Sequence, residues 1–289
     1  MSTSKSIRLA VAQTTLREDD GGIGPSGREI RRLMREAREQ GARVIHFPES
    51  ATCCPHKDRF DWDRFDWDRL RQELQAIAAL AGELGLWAVL GSVHRLTPPH
   101  RPYNSLYVIS ETGGVVNRYD ERLLSNTKVT RMYSPGQRPV TFDVDGVRFG
   151  CTLGMEAHYP EVFAEYERLD VDCVLFSSHG EGKPGGAATF AAEVQGHAEA
   201  NSYWVSFAVG ADQSPGTPSG IVAPGGRRLA RCQPDGAPGV AVATLDETAD
   251  EVAGAVQLAR PWRRRARAGE IYAERQVTDD PRAEADTAF

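Results

Sequence analysis

The sequence predicts an α/β protein, one domain with mixed sheets inside and helices outside. Three observations carry this. Short apolar, β-branched runs alternate with segments of helical periodicity from end to end. The 289 residues are 40% hydrophobic, with 28 glycines besides, which suits a sizeable core. No Pro/Gly/Ser-rich linker divides the chain.

The elements follow in order. Residues 7–12 read as a buried strand. Ser26 is placed to cap a helix over 28–40, stopped by Gly41. Residues 43–47 form the next strand, ending at Pro48 and Glu49. A loop with Cys53, Cys54 and Pro55 leads to the repeat FDWDR-FDWDR, residues 60–69. Its five-residue period fits neither helix nor strand, so it reads as a local duplication on a surface excursion. Residues 70–84 have amphipathic helical spacing, and 86–93 form a third buried strand. Residues 103–109 and 115–119 make a hairpin around Glu111, Thr112, Gly113 and Gly114.

A second hairpin, 141–144 with 147–153, turns at Asp145-Gly146. Pro160 opens a helix to 168, and 171–177 is another buried strand. Residues 189–200 are helical and 203–209 extended. The last strands are 219–223 and 239–245, with Pro224, Gly225 and Gly226 turning between them. The domain is expected to span 1–274. The polar stretch 275–289 is expected to be a mobile tail.

Composition narrows the function. With 34 Lys and Arg against 40 Asp and Glu, the formal net charge is −6, which argues against a general nucleic-acid binder. The basic run RPWRRRAR, 260–267, reads as a solvated or dimer-facing segment. No stretch approaches the roughly 18 unbroken apolar residues of a membrane span. The start, MSTSKSIRLAVAQ, shows no hydrophobic signal region. Five cysteines without C-x-x-C spacing speak against a disulfide framework and a zinc site. A reduced, cytoplasmic protein without metal or cofactor is expected.

Eight segments in order then carry a resemblance: IRLAVAQ, GARVIHFPES, YNSLYVI with the following Gly-Gly, RYDERLLSN, YSPG, FGCTLGMEAHYPEVF, HAEANSYWV and SGIVAPGG. Together they resemble the nitrilase, or carbon–nitrogen hydrolase, superfamily, nearly to Tyr272. The resemblance implies an α-β-β-α sandwich that pairs into a homodimer. It also implies a Glu base, a Lys and a Cys nucleophile acting on amides or nitriles. Thiolate attack needs a base for the thiol proton, and the oxyanion needs donors.

Glu49 in FPES matches the family's base. Glu121 in YDERLL falls where the family shows Lys, and Gly154 in LGMEAHYPE where it shows Cys. Glu156, Tyr159, Pro160 and Glu161 hold that register, so Cys151 reads as a packed strand residue. Lys128 follows Leu-Ser-Asn-Thr, where relatives often carry Glu. Lysine and glutamate are thus reversed at 121 and 128, either by independent loss or as an exchanged ion pair. The same register makes Lys128, Gly154, Met155, His158, His179, Glu199, Cys53 and Cys54 candidates to line a substrate. Cys53 and Cys54 are read as lining rather than as nucleophiles.

Two functions stay open. In one, Glu49 and Glu121 face a single pocket without an intervening ammonium. Two close carboxylates cannot both ionise cheaply, so one becomes an acid and the other a base for a small amide-, nitrile- or urea-like substrate. In the other, the chain is a catalytically silent homologue that binds a small ligand or a partner protein.

Overall fold

The computed structural model describes residues 5–17, 22–55, 61–180 and 187–283. Two six-stranded sheets face each other. The first holds β1 (Ser6–Gln13), β2 (Val44–His46), β3 (Trp87–His94), β4 (Tyr103–Ile109), β5 (Val115–Asp120) and β12 (Gly239–Asp246), in the order β12-β1-β2-β3-β4-β5. The second holds β6 (Thr141–Val144), β7 (Val147–Leu153), β8 (Cys173–Ser177), β9 (Trp204–Ala208), β10 (Gly220–Val222) and β11 (Arg228–Arg231), in the order β11-β10-β9-β8-β7-β6. Strands β1, β2 and β3 run parallel, as do β7, β8 and β9.

Alternation along the strands builds the layers. In β1, Leu9 and Val11 enter the core between the sheets, packed with Phe149, Cys151 and Leu175. Ala10 and Ala12 point the other way, onto α1 (Ile23–Glu39) and α2 (Trp67–Leu84), with Ile30, Leu33 and Ile77. On the far side Val174 and Phe176 pack on α3 (Pro160–Arg168) and α4 (Ala187–Asn201), with Phe163 and Val194. The result is the expected α-β-β-α sandwich. Each fully buried Leu, Val or Phe contributes about 1.5–3 kcal/mol to it. One polar link crosses the central layer. His46 Nδ1 and Nε2 lie 2.9 and 2.7 Å from Ser206 Oγ and Ser177 Oγ, and Ser177 Oγ donates to the Phe47 carbonyl at 2.9 Å. Burial lowers the His46 imidazole to about 3, so it stays neutral in the fold.

Several expectations change. The first helix starts at Ile23 rather than after Ser26, which lies buried within it. Pro25 is tolerated there because first-turn N–H groups have no partner inside a helix. The second FDWDR copy lies at the surface but opens a helix: Asp66 accepts from Arg69 N and caps α2, which Gly85 ends in the left-handed conformation. Trp62, Phe65 and Trp67 stack together, Trp62 reaching Tyr133, over a cluster that includes Cys53 and Met132. Phe60 itself lies outside the described residues.

The Pro224-Gly225-Gly226 turn leads to β11, a strand the sequence reading missed, and β12 crosses to the first sheet beside β1. The basic run forms α5 (Arg260–Arg267). Its arginines bind this chain's own carboxylates: Arg260 with Asp172, Arg263 with Glu199, Arg264 and Arg267 with Glu167. Residues 275–283 are exposed, and 284–289 of the expected tail lie outside the described residues. Among the described residues no helix is long and apolar enough to cross a membrane, and no group of three or more His, Cys, Asp or Glu side chains is arranged to hold a metal ion.

Candidate active site

The parallel strands end at one edge of the sandwich, where chain leaving β2, β5, β7 and β8 converges. Beyond β2, Phe47 N donates to Val89 O at 2.9 Å, and Pro48, lacking an N–H, takes the chain out of the sheet. Gly91 on β3 permits this close approach, since a Cβ there would lie 2.0 Å from Pro48 O. Thr52 then ties the loop back, its N to Gly91 O at 3.1 Å and its Oγ1 to Ser92 Oγ at 2.8 Å. Between these anchors Glu49 is buried, 3% exposed.

Glu121 follows β5 and is fully buried, its N donating to Asn104 O at 2.9 Å. Glu156 holds this segment against the turn after β7. It accepts from Tyr119 Oη (2.6 Å), Arg122 N (2.8 Å), Thr152 Oγ1 (2.7 Å) and Leu153 N (2.9 Å). Lys128 opens a single π-helical turn, Lys128–Met132, and sends its ammonium between the two carboxylates. Lys128 Nζ donates to Glu49 Oε1 and to both oxygens of Glu121, at 3.0 and 2.8 Å. Asn104 Nδ2 donates to Glu49 Oε1 at 2.9 Å and Glu121 Oε2 at 2.5 Å.

This corrects one expectation: the ammonium is present between Glu49 and Glu121, supplied by position 128. Gly154 closes the cluster. A Cβ there would lie 2.9 Å from both Glu121 Oε1 and Lys128 Nζ, and 3.1 Å from Glu49 Oε2, and the residue has φ +51°. Gly154→Cys is therefore expected to lose about 1–3 kcal/mol from overpacking on a left-handed backbone. It is also expected to bring no amide turnover. Urea denaturation and an ammonia-release assay check this; a variant as stable as the native chain, with amide turnover above the native level, would refute the packing.

The environment pulls the carboxyls apart. Burial pushes Glu121 up to about 8, with the charges of Glu49 and Glu156 adding to it and Lys128 opposing. Burial also pushes Glu49 upward, but the Lys128 ammonium, His179 and Asn104 outweigh it and hold Glu49 below the usual range. The desolvated Lys128 is held above its ordinary value by both carboxylates. The two carboxyls are thus driven in opposite directions, Glu121 toward its protonated form and Glu49 toward its ionised one.

His179 joins this cluster through its backbone: His179 N donates to Glu49 Oε2 at 3.1 Å, while its ring Nε2 lies 3.3 Å from Cys54 Sγ. Cys53 packs in the aromatic cluster and accepts from Thr52 Oγ1 at 3.7 Å. Met155, half-buried, follows Gly154 in a 3₁₀ turn. Two candidates fall elsewhere. His158 Nδ1 lies 2.7 Å from Glu193 Oε1, and its exposed ring sits against Phe190. Glu199 is exposed on α4 and paired with Arg263. Asn104 and Glu156 went unassigned. Asn104 stood within the quoted YNSLYVI, but nothing in its spacing announced two carboxylates as partners.

The sequence model for carbon–nitrogen hydrolases matches residues 9–253. The chain belongs to that family. A curated relative, the glutamine-dependent NAD(+) synthetase of Acinetobacter baylyi, is 29% identical over 188 residues, 62% of this chain. The match covers 33% of that protein, so the chain spans about a third of its curated relative. Among solved structures, a mutant of the Nesterenkonia AN1 amidase from the nitrilase superfamily superposes with a TM-score of 0.69 at 18% identity, covering 89% of this chain and 97% of that one. The glutamine-dependent NAD+ synthetase of Acinetobacter baumannii, in complex with ADP, gives 0.69 at 19%, covering 84% and 46%. Those likenesses match the two-sheet sandwich seen here.

Proposed function

We propose that this carbon–nitrogen hydrolase family member is an enzyme acting on a small amide-, nitrile- or urea-like molecule through carboxylate chemistry centred on Glu49, with no cysteine at position 154. The observation that carries this is geometric: two buried carboxyls, Glu49 and Glu121, share the Lys128 ammonium and Asn104 Nδ2, in surroundings that push Glu49 down and Glu121 up. Glu49 takes a proton from water as the oxygen attacks the substrate carbon. With an amide or urea, Glu121 gives its proton to the departing nitrogen as the C–N bond breaks, and the proton on Glu49 restores the Glu121 carboxyl. A nitrile first adds one water across its C≡N bond, breaking no C–N single bond, to give the amide. The Lys128 ammonium offsets negative charge gathering on the substrate oxygen. Asn104 Oδ1, buried and without a hydrogen-bond partner among the described residues, supports a substrate bearing N–H groups. We further read the chain as a single domain over 1–274 that pairs as a homodimer in the cytoplasm.

The test is turnover against a panel of small amides, nitriles and ureas, with thermal shift on the same panel. Turnover of at least one member is expected. Thermal shifts without turnover would favour the silent homologue. That reading draws on the saturation of the cluster, in which every oxygen of Glu49 and Glu121 already accepts a hydrogen bond.

A pH dependence follows. Turnover is expected to fall as pH rises through about 8, where Glu121 loses the proton it donates. Stability moves the same way. The folded value lies above the usual 4.5, so the contribution from Glu121 is complete below 4.5 and disappears as pH rises through about 8. Urea midpoints measured between pH 6 and 9 should decline for the native chain and stay flatter for Glu121→Gln. Equal slopes would refute the assignment.

A further inference from the structure

Cys54 and His179 are not used by the carboxylate chemistry, yet they meet across the two sheets. Cys54 lies in the loop after β2 and His179 in the segment after β8, with Sγ and Nε2 3.3 Å apart. The main chain at His179 is held in place: His179 N donates to Glu49 Oε2, and Gly180 N donates to Ser178 Oγ at 2.9 Å, with Gly180 at φ +81°. Cys54 is 4% exposed, whereas His179 is half-buried. Other cysteines have different surroundings. Cys151 and Cys173 sit inside β7 and β8, and Cys232 lies against the carbonyls of Val11 and Gly239; burial pushes all three thiols up.

We propose that Cys54 and His179 form a nucleophilic thiol–imidazole pair that accepts acyl groups from small activated esters, a centre separate from the water chemistry of Glu49. The thiol proton passes to His179 Nε2 as sulfur bonds to the carbonyl carbon. The ester C–O bond then breaks, and the leaving alcohol takes the proton from the imidazolium. The product is a thioester on Cys54, with thiol and ester exchanged for thioester and alcohol.

The experiment incubates the full chain with p-nitrophenyl acetate and maps acetylated peptides by mass spectrometry over time, in buffer and in denaturing urea. One acetyl group on Cys54 is expected, forming about tenfold or more faster in the folded chain than in the unfolded one. His179→Gln, checked for folding by circular dichroism, should slow it by a similar factor. Should that variant fail to fold, the folded-against-unfolded comparison decides alone. Acylation of folded Cys54 no faster than in urea, an unchanged rate in a folded His179→Gln, or acetyl groups on Cys53 instead would overturn the proposal.

Discussion

Lys128→Met is expected to destabilise the fold by about 3–5 kcal/mol, the range for removing one partner of a buried ion pair. Its ammonium lies against two carboxylates that are 3% and 0% exposed, and Lys128 itself has a side-chain exposure of 15%. Methionine keeps the stem and removes the charge. Glu49 and Glu121 would then share a buried site with Asn104 Nδ2 and the His179 N–H as donors, and the charge on Glu49 would lie there without its counter-ion. Urea denaturation followed by tryptophan fluorescence reads the effect. The double variant with Glu121→Gln should cost less than the sum of the single changes, by roughly 0.5–3 kcal/mol. A change within about 0.5 kcal/mol for Lys128→Met would mean that the ammonium does not hold this cluster together.

Glu49→Gln is expected to reduce any turnover by roughly 10²–10⁴, the usual worth of a positioned general base. Glutamine fits the same space, and its carbonyl oxygen can still accept from His179 N or Asn104. What it cannot do is take a proton from water. The proper comparison is kcat with substrate saturating, alongside a melting curve that separates lost chemistry from lost fold. Activity within a few fold of the native chain would place the base elsewhere.

Much of the sandwich was legible because its central strands are buried on both faces and read as unbroken apolar runs, such as β8 and β9. The second hairpin was equally plain, since Asp145 and Gly146 take the positive φ values that a tight turn demands. Strand β11 was not. Arg228 and Arg231 flank its half-buried Leu229 and Ala230 at a sheet edge, so no apolar period marks it. At the site, Glu49, Glu121, Lys128 and Gly154 came from motif register, and the structure brings them together. Their mutual geometry was hidden, because it depends on a π-helical turn that carries Lys128 back to a loop 79 residues earlier. Glu199 stands apart from the cluster for the converse reason. Its motif is local, whereas its partner Arg263 arrives on a distant helix.

The contact between Gly154 and the charged cluster also constrains the routes by which this sequence can change. Glu121→Lys alone would set two ammonium groups side by side, and Lys128→Glu alone would crowd three carboxyls into one buried space. A side chain at 154 would meet Glu121 Oε1 and Lys128 Nζ alike. Each single step toward the family's Lys, Glu and Cys arrangement crosses a less stable intermediate, so the three positions are epistatic. A lineage that has acquired this arrangement is held in it by a ratchet, and neutral drift should continue around these positions while leaving all three in place.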